Sequence, residues 1–434
     1  MEVKNCSILQ LSIIGILMLL VECNVPFPKD MRMDVKFPVQ FKSSRSGSGI
    51  PDGHLRPLGY QRKAEGKVME VPVVPHPREF SDLHVSKKKP LVMRGAVKDS
   101  LAFEKWDDSF LEENFGNLQV IVELKKENRA NVVRNVRPLK EFLKGYKTED
   151  WYAVTVLPDE MRSYVKVPQC LLCGSFKKLI QESNFWMSSG GTSSVLHYDA
   201  DHNIHCLLDG RKDFIFIHPK YSKFLEIANK SPDSGSGYSQ IDVEMINMFK
   251  YSGFSKVPWQ WTTIWPGDCV FIPSGYFHQV RSYGRSMSYA ILFTTEPHFN
   301  DTDCGNEFPY TSLDQVPIFW TYKEGDKVIE MGYMDPASIR QSFLQILRED
   351  DRLSFERFMI FYADYFLDDL EPDLQNKELR ADAMKAFSIF DKRNRGFVTR
   401  RQIVEADIEM FKDVARLLDE PSYQLNEKSW RDEL

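Results

Sequence analysis

The spacing of apolar residues changes along the chain and divides it into segments with different predicted structures. An apolar run from Ile8 to Val21 stands near the amino end. From Phe185 to about Thr295, short apolar stretches alternate with turn residues, a pattern typical of the strands of a sandwich or barrel. Beyond Asp335 the apolar residues, such as Phe343 and Leu347, recur at helical spacing. The pattern therefore predicts a mainly β core with flanking helices, followed by an α-helical region.

Turn residues within the β core predict where its strands begin and end. Asp209 and Gly210 separate the apolar stretches Ile204–Leu208 and Lys212–Ile217, which predicts a two-strand hairpin. The same reasoning predicts a helix over Asp108–Asn114 and further strands over Pro90–Gly95, Cys269–Ile272, Phe277–Ser282 and Ser286–Phe293.

The carboxyl-terminal region contains the frame of a calcium-binding loop. Asp391 to Val398 has an aspartate first, a glycine sixth and an apolar residue eighth, as in an EF-hand. Arg393 and Arg395 replace carboxylate ligands, however, and Gln402 stands where a bidentate glutamate is needed. We therefore expect no calcium there and interpret residues 336–430 as a helical, degenerate EF-hand-like region; a plain helical bundle is the alternative. Its later helices are predicted over Ala381–Phe390 and Gln402–Leu418.

Two segments have the composition of connections rather than of packed units. Residues 24–65 contain several prolines and the run Ser43–Gly49, which suits a flexible lead-in. Residues 301–335 separate the β core from the helical region, and we interpret them as a linker.

The two ends of the chain both indicate the secretory pathway. The apolar run follows Lys4 and is shorter than the roughly 20 residues that a membrane span takes. We therefore interpret residues 1–23 as a cleaved signal peptide, with a retained anchor as the alternative. Arg431 to Leu434 is a variant of the Lys-Asp-Glu-Leu signal, which a retrieval receptor binds at a free carboxyl terminus. Together the ends predict the lumen of the endoplasmic reticulum, with no stable membrane span after cleavage.

The overall composition is that of an ordinary globular protein. Of the 434 residues, 42% are hydrophobic and 27% charged, and the formal net charge is -6. The chain contains no long stripe of lysine and arginine, which argues against a nucleic-acid partner. The sequence does not determine the oligomeric state, and a homo-oligomer stays among the expectations.

A lumenal location gives meaning to the cysteines and to two glycosylation sequons. Because an odd number of cysteines follows the signal peptide, at least one thiol is free or pairs outside the chain. Cys170-Leu-Leu-Cys173 has redox-motif spacing but lacks a preceding strand, and we interpret it as a local disulfide or as partners of other bridges. No second such pair supports a zinc site. Asn229-Lys-Ser231 and Asn300-Asp-Thr302 are predicted glycan acceptors. The five cysteines are Cys170, Cys173, Cys206, Cys269 and Cys304.

Two histidines and an aspartate form a candidate metal site. His197 and Asp199 lie two residues apart in a predicted strand, so both side chains project from one face. His278, in a strand that follows a Pro-Ser-Gly turn, supplies a third ligand. Two histidines and one carboxylate leave open metal positions, and this set suits non-haem Fe(II).

Lys212 is a candidate partner for an anion near this metal. In its predicted strand it shares a face with Phe214 and Phe216. A lysine among inward-facing aromatic residues is costly unless it meets an anion, which a dicarboxylate co-substrate would supply. In the alternative orientation Lys212 points outward, and Asp213 is buried instead.

The order of these motifs resembles that of the Jumonji-C oxygenases, in their small hydroxylase-type branch. The resemblance covers about residues 66–300 and implies a double-stranded β-helix, or jelly-roll cupin barrel, with Fe(II), 2-oxoglutarate and dioxygen. The motifs that carry it are Phe185–Asp199, Asn203, Gly210–Lys212, Pro266–Asp268, Ile272–Pro273 and His278.

The resemblance also implies a role for each site residue. Iron is held by His197, Asp199 and His278, while Lys212 pairs with the distal carboxylate of 2-oxoglutarate. We expect Trp186 to form a wall. Ser194 and Asn203 are expected to hydrogen-bond the co-substrate or to line its pocket, and Tyr152 is expected to contact its distal carboxylate. His202 and His205 are expected in core or rim positions.

These expectations lead to a hydroxylase that acts on polypeptides of the secretory pathway. A catalytically inactive barrel that serves as a binding or scaffold protein of the lumen is one alternative. A histone demethylase is another; the lumenal signals and the lack of methyl-lysine recognition modules argue against it.

Overall fold

Strands dominate the middle of the chain, and helices dominate its carboxyl-terminal part. The computed structural model describes residues 6–13, 16–23, 35–41, 49–126, 133–228, 237–295, 298–318, 320–324, 327–332, 336–347, 350–366 and 377–419. The strands are β1 (Cys6–Ile13), β2 (Ile16–Cys23), β3 (Gly66–Lys67), β4 (Met69–Val71), β5 (Leu91–Met93), β6 (Gln119–Glu123), β7 (Arg134–Pro138), β8 (Tyr152–Val156), β9 (Ile180–Ser188), β10 (Thr192–Ser193), β11 (His197–Tyr198), β12 (His202–Ile217), β13 (Gly237–Tyr238), β14 (Gln260–Ile264), β15 (Cys269–Ile272), β16 (Phe277–Phe293), β17 (Trp320–Glu324), β18 (Lys327–Gly332), β19 (Arg352–Ser354) and β20 (Phe397–Thr399). The α-helices are α1 (Pro77–Phe80), α2 (Leu101–Lys105), α3 (Asp108–Phe115), α4 (Leu139–Gly145), α5 (Pro336–Leu347), α6 (Phe355–Phe366), α7 (Lys377–Ser388), α8 (Arg400–Glu405) and α9 (Ile408–Asp419).

Two long antiparallel strands, β12 and β16, form the centre of the core. They pair from His202 with Phe293 to Ile217 with Phe277. On its other edge, β12 pairs with β15 along its first part and with β14 along its second part. On its own other edge, β16 pairs with β9, β10 and β11. The mostly antiparallel sheet thereby folds into the predicted jelly roll. The side chains that fill its interior include Val92, Leu207, Phe214, Phe216 and Val270.

The predicted hairpin at Asp209 and Gly210 is wrong, because the chain continues through these residues as one strand. The register of β12 against β16 shifts between Leu207 and Asp209 and again between Asp209 and Arg211, which makes a β-bulge. The two strands predicted over 277–282 and 286–293 are likewise one strand. A glycine with positive φ serves a hairpin turn and a bulge equally well, so the local sequence does not distinguish them.

Gly210 is the residue on which this bulge depends. Its φ is +81°, and an added Cβ would lie 2.6 Å from the carbonyl oxygen of Arg285 and 2.7 Å from that of Tyr283. We expect Gly210→Ala to lower the free energy of unfolding by about 3 kcal/mol, from the left-handed backbone and the clash together. The measurement is urea unfolding followed by circular dichroism.

Gly275→Ala is the matched control for this substitution. Gly275 has φ +73° with no atom within 4 Å of the added Cβ, so only the backbone cost of about 1 kcal/mol applies. Equal losses for the two variants would contradict the importance of close approach at Gly210.

The segment predicted as a flexible lead-in packs on the barrel over much of its described length. Leu58 is buried in one apolar cluster with Trp259, and Phe37 packs against that cluster. The carbonyl oxygen of Val35 accepts a hydrogen bond from Arg211 Nη1 at 2.7 Å. The average composition of residues 24–65 did not predict these contacts, because its apolar residues stand singly among polar residues and prolines.

The first half of the segment predicted as a linker also belongs to the barrel. Leu313 and Val316 are buried in the main core cluster. Cys304 forms a disulfide with Cys173. Residues 301–318 therefore close over the barrel, while β17 and β18 pair with each other further on.

The cysteine pairing answers a question that the sequence left open. Cys173 is a partner of the distant Cys304, Cys206 pairs with Cys269 across β12 and β15, and no local bridge joins Cys173 to Cys170. Cys170 remains a buried thiol, whose pKa burial raises far above its usual range. Among the five cysteines after residue 23, all within the described residues, one thiol is thus free, in line with the odd count, and it is unsuited to redox chemistry.

The carboxyl-terminal helices pack around their own apolar core and against the barrel. Phe343, Phe358 and Phe411 lie in this core, which Val136 of β7 joins. The predicted helix over 402–418 is two helices, because Ala406 adopts extended backbone (ψ 142°) and Asp407 caps α9 through the N–H of Glu409. β19 and β20 pair between the helices.

The EF-hand-like loop holds a guanidinium where a calcium loop holds its ion. Asp391 Oδ2 accepts a hydrogen bond from the N–H of Gly396 at 2.7 Å. Arg395 Nη2 donates to Gln402 Oε1 at 2.8 Å, and Arg395 Nε lies 3.8 Å from Asp391 Oδ1. The first and twelfth positions of the loop are therefore bridged by a cation from the chain itself.

The predicted targeting segments are covered only in part. Within residues 1–23 the structure describes β1 and β2, which pair with each other. None of the helices in the described ranges is long and apolar enough to cross a membrane. The retrieval signal at 431–434 and the sequon at 229–231 lie outside the described residues.

Candidate active site

The three predicted metal ligands, His197, Asp199 and His278, come together where β11 pairs with β16. His197 lies on β11 and pairs directly with His278 on β16. Asp199 follows β11, and its carbonyl oxygen accepts a hydrogen bond from the N–H of Gly275 at 2.8 Å. The turn before β16 thereby fixes the backbone next to the carboxylate.

The side chains of this cluster converge on one point. His197 Nε2 lies 3.8 Å from Asp199 Oδ1, and His278 Nε2 lies 3.6 Å from Asp199 Oδ2. One ligand atom from each residue lies within 4.8 Å of the others. This spacing suits a metal ion bound on one face by two imidazoles and a carboxylate.

Hydrogen bonds to the backbone set the tautomer of both histidines. His197 Nδ1 lies 2.8 Å from the carbonyl oxygen of Val195, and His278 Nδ1 lies 3.0 Å from that of Tyr276. Because a carbonyl only accepts, each Nδ1 carries the hydrogen, and each Nε2 presents a lone pair to the cluster. Outer hydrogen bonds of this kind orient metal-bound histidines in proteins.

The cluster is open on one side. The His278 side chain is 3% exposed, whereas those of His197 and Asp199 are 28% and 27% exposed. A substrate group can therefore approach the metal position past His197 and Asp199.

A cavity of about 140 Å³ extends from the cluster into the barrel. All four residues predicted to contact the co-substrate line it, together with the three predicted ligands, and their roles remain predictions. Trp186 is a wall residue, as expected. The lining residues are Tyr152, Trp186, Thr192, Ser194, His197, Asp199, Asn203, His205, Lys212, Phe214, Ile272, His278, Val280 and Ser282.

Lys212 has the predicted inward orientation, although Asp213 next to it is buried too. Lys212 is 1% exposed and lines the cavity together with Phe214. Asp213 is buried as well, where it accepts hydrogen bonds from Arg211 Nη2 at 2.8 Å and Thr263 Oγ1 at 2.6 Å. Burial raises the pKa of Asp213, and these two donors oppose the shift. Both charges are therefore buried, on opposite faces of β12.

The polar atoms of the cavity suit an anionic ligand. Thr192 Oγ1, Asn203 Oδ1 and His205 Nε2 are buried and make no hydrogen bond. Buried polar atoms are nearly always paired, so this cluster of unpaired ones indicates a missing polar ligand. Ser194 Oγ accepts from the N–H of Val280 at 2.9 Å, which leaves its hydroxyl hydrogen to donate. With the ammonium of Lys212, the donors among these groups (Thr192, Ser194 and His205) fit a dicarboxylate such as 2-oxoglutarate, whereas Asn203 Oδ1 accepts a hydrogen bond.

Thr192, His205 and Ser282 are polar lining residues for which the sequence indicated no contact with a ligand. Thr192 precedes Ser194 by two positions, and His205 follows Asn203 by two, so strand alternation alone places each beside a predicted site residue. Of the core or rim positions expected for His202, the structure has the core position, where His202 stacks on Phe271 and on Phe293.

A jelly-roll barrel with two histidines and a carboxylate at its mouth defines the cupin class of metal-site fold. A model of the cupin-like domain family matches residues 77–299, slightly more than half of the 434-residue chain. The chain belongs to the cupin-like domain family, and the predicted likeness to Jumonji-C proteins is confirmed.

Curated relatives include proteins with two kinds of name. The chain is 25% identical over 232 residues to lysine-specific demethylase 8 of Xenopus tropicalis, a match that covers 51% of each chain. It is 38% identical over 126 residues to lysine-specific demethylase JMJ31 of Arabidopsis thaliana, which covers 28% of this chain and 22% of the relative. Bifunctional peptidase and (3S)-lysyl hydroxylase JMJD7 of Homo sapiens is 21% identical over 246 residues, or 48% of this chain and 78% of that protein. The chain thus spans about half the length of the frog relative.

Proposed function

We propose that this protein is an Fe(II)- and 2-oxoglutarate-dependent oxygenase of the endoplasmic reticulum lumen that hydroxylates side chains of secretory-pathway proteins. The observation that carries the proposal is the pairing of a two-histidine, one-carboxylate cluster with a buried lysine in one cavity. Neither feature alone would select this chemistry, since such clusters also bind other metals.

Different residues of the chain would hold Fe(II) and 2-oxoglutarate. His197, Asp199 and His278 would hold Fe(II), with the Nδ1 hydrogen bonds fixing both rings. Lys212 would neutralise the distal carboxylate of 2-oxoglutarate, and the apolar wall of Phe214 would exclude water. When bound, iron and 2-oxoglutarate use dioxygen to convert a C–H bond to an alcohol, with succinate and carbon dioxide as co-products. Ser194, Asn203 and Tyr152 would orient the co-substrate.

The open side of the cluster supports a polypeptide substrate. The cavity of about 140 Å³ has room for a small co-substrate, so a protein substrate would present a side chain from outside. The exposed edges of His197 and Asp199 are where that side chain would enter. One relative is named a lysyl hydroxylase and others lysine-specific demethylases. Hydroxylation is favoured here because a lumenal location, which the terminal signals predict, would separate the chain from chromatin.

The lumenal location is supported by the cysteines as well as by the terminal signals. Disulfides such as Cys173–Cys304 and Cys206–Cys269 persist in oxidising compartments and are rare in the cytosol. Asn300 of the second sequon is exposed and accessible to glycosylation. The partners of the protein would be its polypeptide substrate and a receptor of the Lys-Asp-Glu-Leu type.

Three measurements test the proposal. Purified protein with Fe(II), 2-oxoglutarate and dioxygen should release succinate, and lumenal proteins from cells with the active protein should carry added oxygen atoms in mass spectra. A chain that binds iron but no 2-oxoglutarate would instead be the binding or scaffold protein. For the location, deletion of residues 431–434 should send the protein into the medium; retention in the cell or a nuclear location would contradict it.

A further inference from the structure

His205 is a buried polar residue of the cavity that the proposed roles leave unused. It follows Asn203 by two positions on β12, and both side chains line the cavity. His205 is 6% exposed, and its Nε2 atom makes no hydrogen bond. An unpaired buried nitrogen costs about 1–3 kcal/mol, which a hydrocarbon side chain of similar size would avoid. A ligand that pairs with Nε2 accounts for an imidazole at this place.

The ring of His205 is held between two aromatic residues. It stacks on Trp186, with ring centroids 5.0 Å apart and an interplanar angle of 30°, and it meets Phe214 edge-on at 5.7 Å. These contacts fix the plane of the imidazole before any ligand binds. A pre-oriented donor loses little freedom when it forms a hydrogen bond.

The charges around His205 indicate which kind of group it meets. Burial lowers the pKa of His205 well below its usual range, and the positive charge of Lys212 lowers it further. The imidazole is therefore neutral and has one N–H to donate. A group that meets this N–H has to be an acceptor, and the positive charge of Lys212 beside it favours an acceptor with negative charge.

We propose that His205 is a further co-substrate-binding residue, which donates a hydrogen bond from Nε2 to the carboxylate that Lys212 neutralises. This inference rests on the proposed function, since the carboxylate is the distal one of 2-oxoglutarate. This role differs from the core or rim position that the sequence predicted for His205. His205 thereby contributes to the selection of 2-oxo acids that end in a second carboxylate.

The test compares two ligands and two kinds of substitution in the full chain, with Fe(II) and without oxygen. 2-Oxoglutarate is compared with 2-oxovalerate, which has a methyl group in place of the distal carboxylate. We expect His205→Phe and His205→Leu to raise the Kd of 2-oxoglutarate about tenfold or more, because a hydrogen bond to a charged group is lost. His205→Gln keeps a donor and should stay within about threefold of wild type. The Kd of 2-oxovalerate should change little in any variant.

A matched control separates this role from a general effect of losing a buried histidine. His84 is buried with an unpaired Nδ1, stacks on Phe80 and lies outside the cavity, so His84→Phe should leave both Kd values unchanged. If His205→Phe and His205→Leu weaken both ligands equally, the residue only shapes the pocket, and the inference is wrong. If they weaken neither ligand, it is wrong as well. If wild type itself binds no 2-oxoglutarate, the proposed function fails first and the inference with it.

Discussion

Asp199→Ala is expected to abolish succinate formation and to weaken Fe(II) binding more than about 100-fold. Asp199 supplies the one carboxylate of the cluster, with oxygens 3.8 and 3.6 Å from the two histidine Nε2 atoms. Loss of an outer partner of a metal ligand already costs about 10–100-fold in affinity, so loss of the ligand itself costs more. Anaerobic titration with Fe(II), followed by metal analysis of the desalted protein, measures the effect.

Asp201→Ala is the control for this variant, because Asp201 is an acidic residue two positions further along, outside the cluster. It should bind Fe(II) within about threefold of wild type, a change no larger than that of a surface substitution. Unchanged Fe(II) affinity in Asp199→Ala would show that the ion binds elsewhere, and the metal site would be wrong.

Lys212→Met is expected to raise the Kd of 2-oxoglutarate about 100-fold or more, while Fe(II) affinity stays within about threefold of wild type. The substitution keeps most of the side-chain volume and removes the charge. A carboxylate left in a buried site without its cation costs about 3–5 kcal/mol, which sets the size of the effect. The two affinities change independently because Lys212 and the metal cluster would bind different parts of the co-substrate.

The exposed Lys220, three residues beyond the end of β12, offers the same substitution outside the cavity. Lys220→Met should leave the Kd of 2-oxoglutarate unchanged when both variants are titrated at one salt concentration. A Lys212→Met protein that binds 2-oxoglutarate as tightly as wild type would remove the main support for this co-substrate.

The parts of the site that local patterns determine were predictable from the sequence. Strand alternation places His197 beside Asp199 and Lys212 beside Phe214, and the structure has both pairs on one cavity. His205 was missed, although the same alternation applies to it. Its importance depends on an unpaired atom, which only the surrounding packing reveals.

Long-range pairing was the part that the sequence could not determine. Whether the chain forms a hairpin or a bulge at Gly210 depends on whether β16 continues alongside β12. The residues of these two strands are far apart in the chain. The partner of Cys173 depends in the same way on how residues 301–318 close over the barrel. Local composition does not indicate either contact. Turn residues therefore did not determine the β12–β16 pairing, and cysteine spacing did not determine the partner of Cys173.

The bulge in β12 has a consequence for the order of charges around the ligand. Before it, the odd-numbered Asn203 and His205 face the cavity; after it, the even-numbered Lys212 does so. Strict alternation would forbid this combination, so one inserted residue reverses the parity of the strand. Without the insertion, Asp213 would take the inward position of Lys212. The cavity would then present a carboxylate to its ligand and favour a cation, so its preference for anions is encoded by backbone length as much as by side-chain identity.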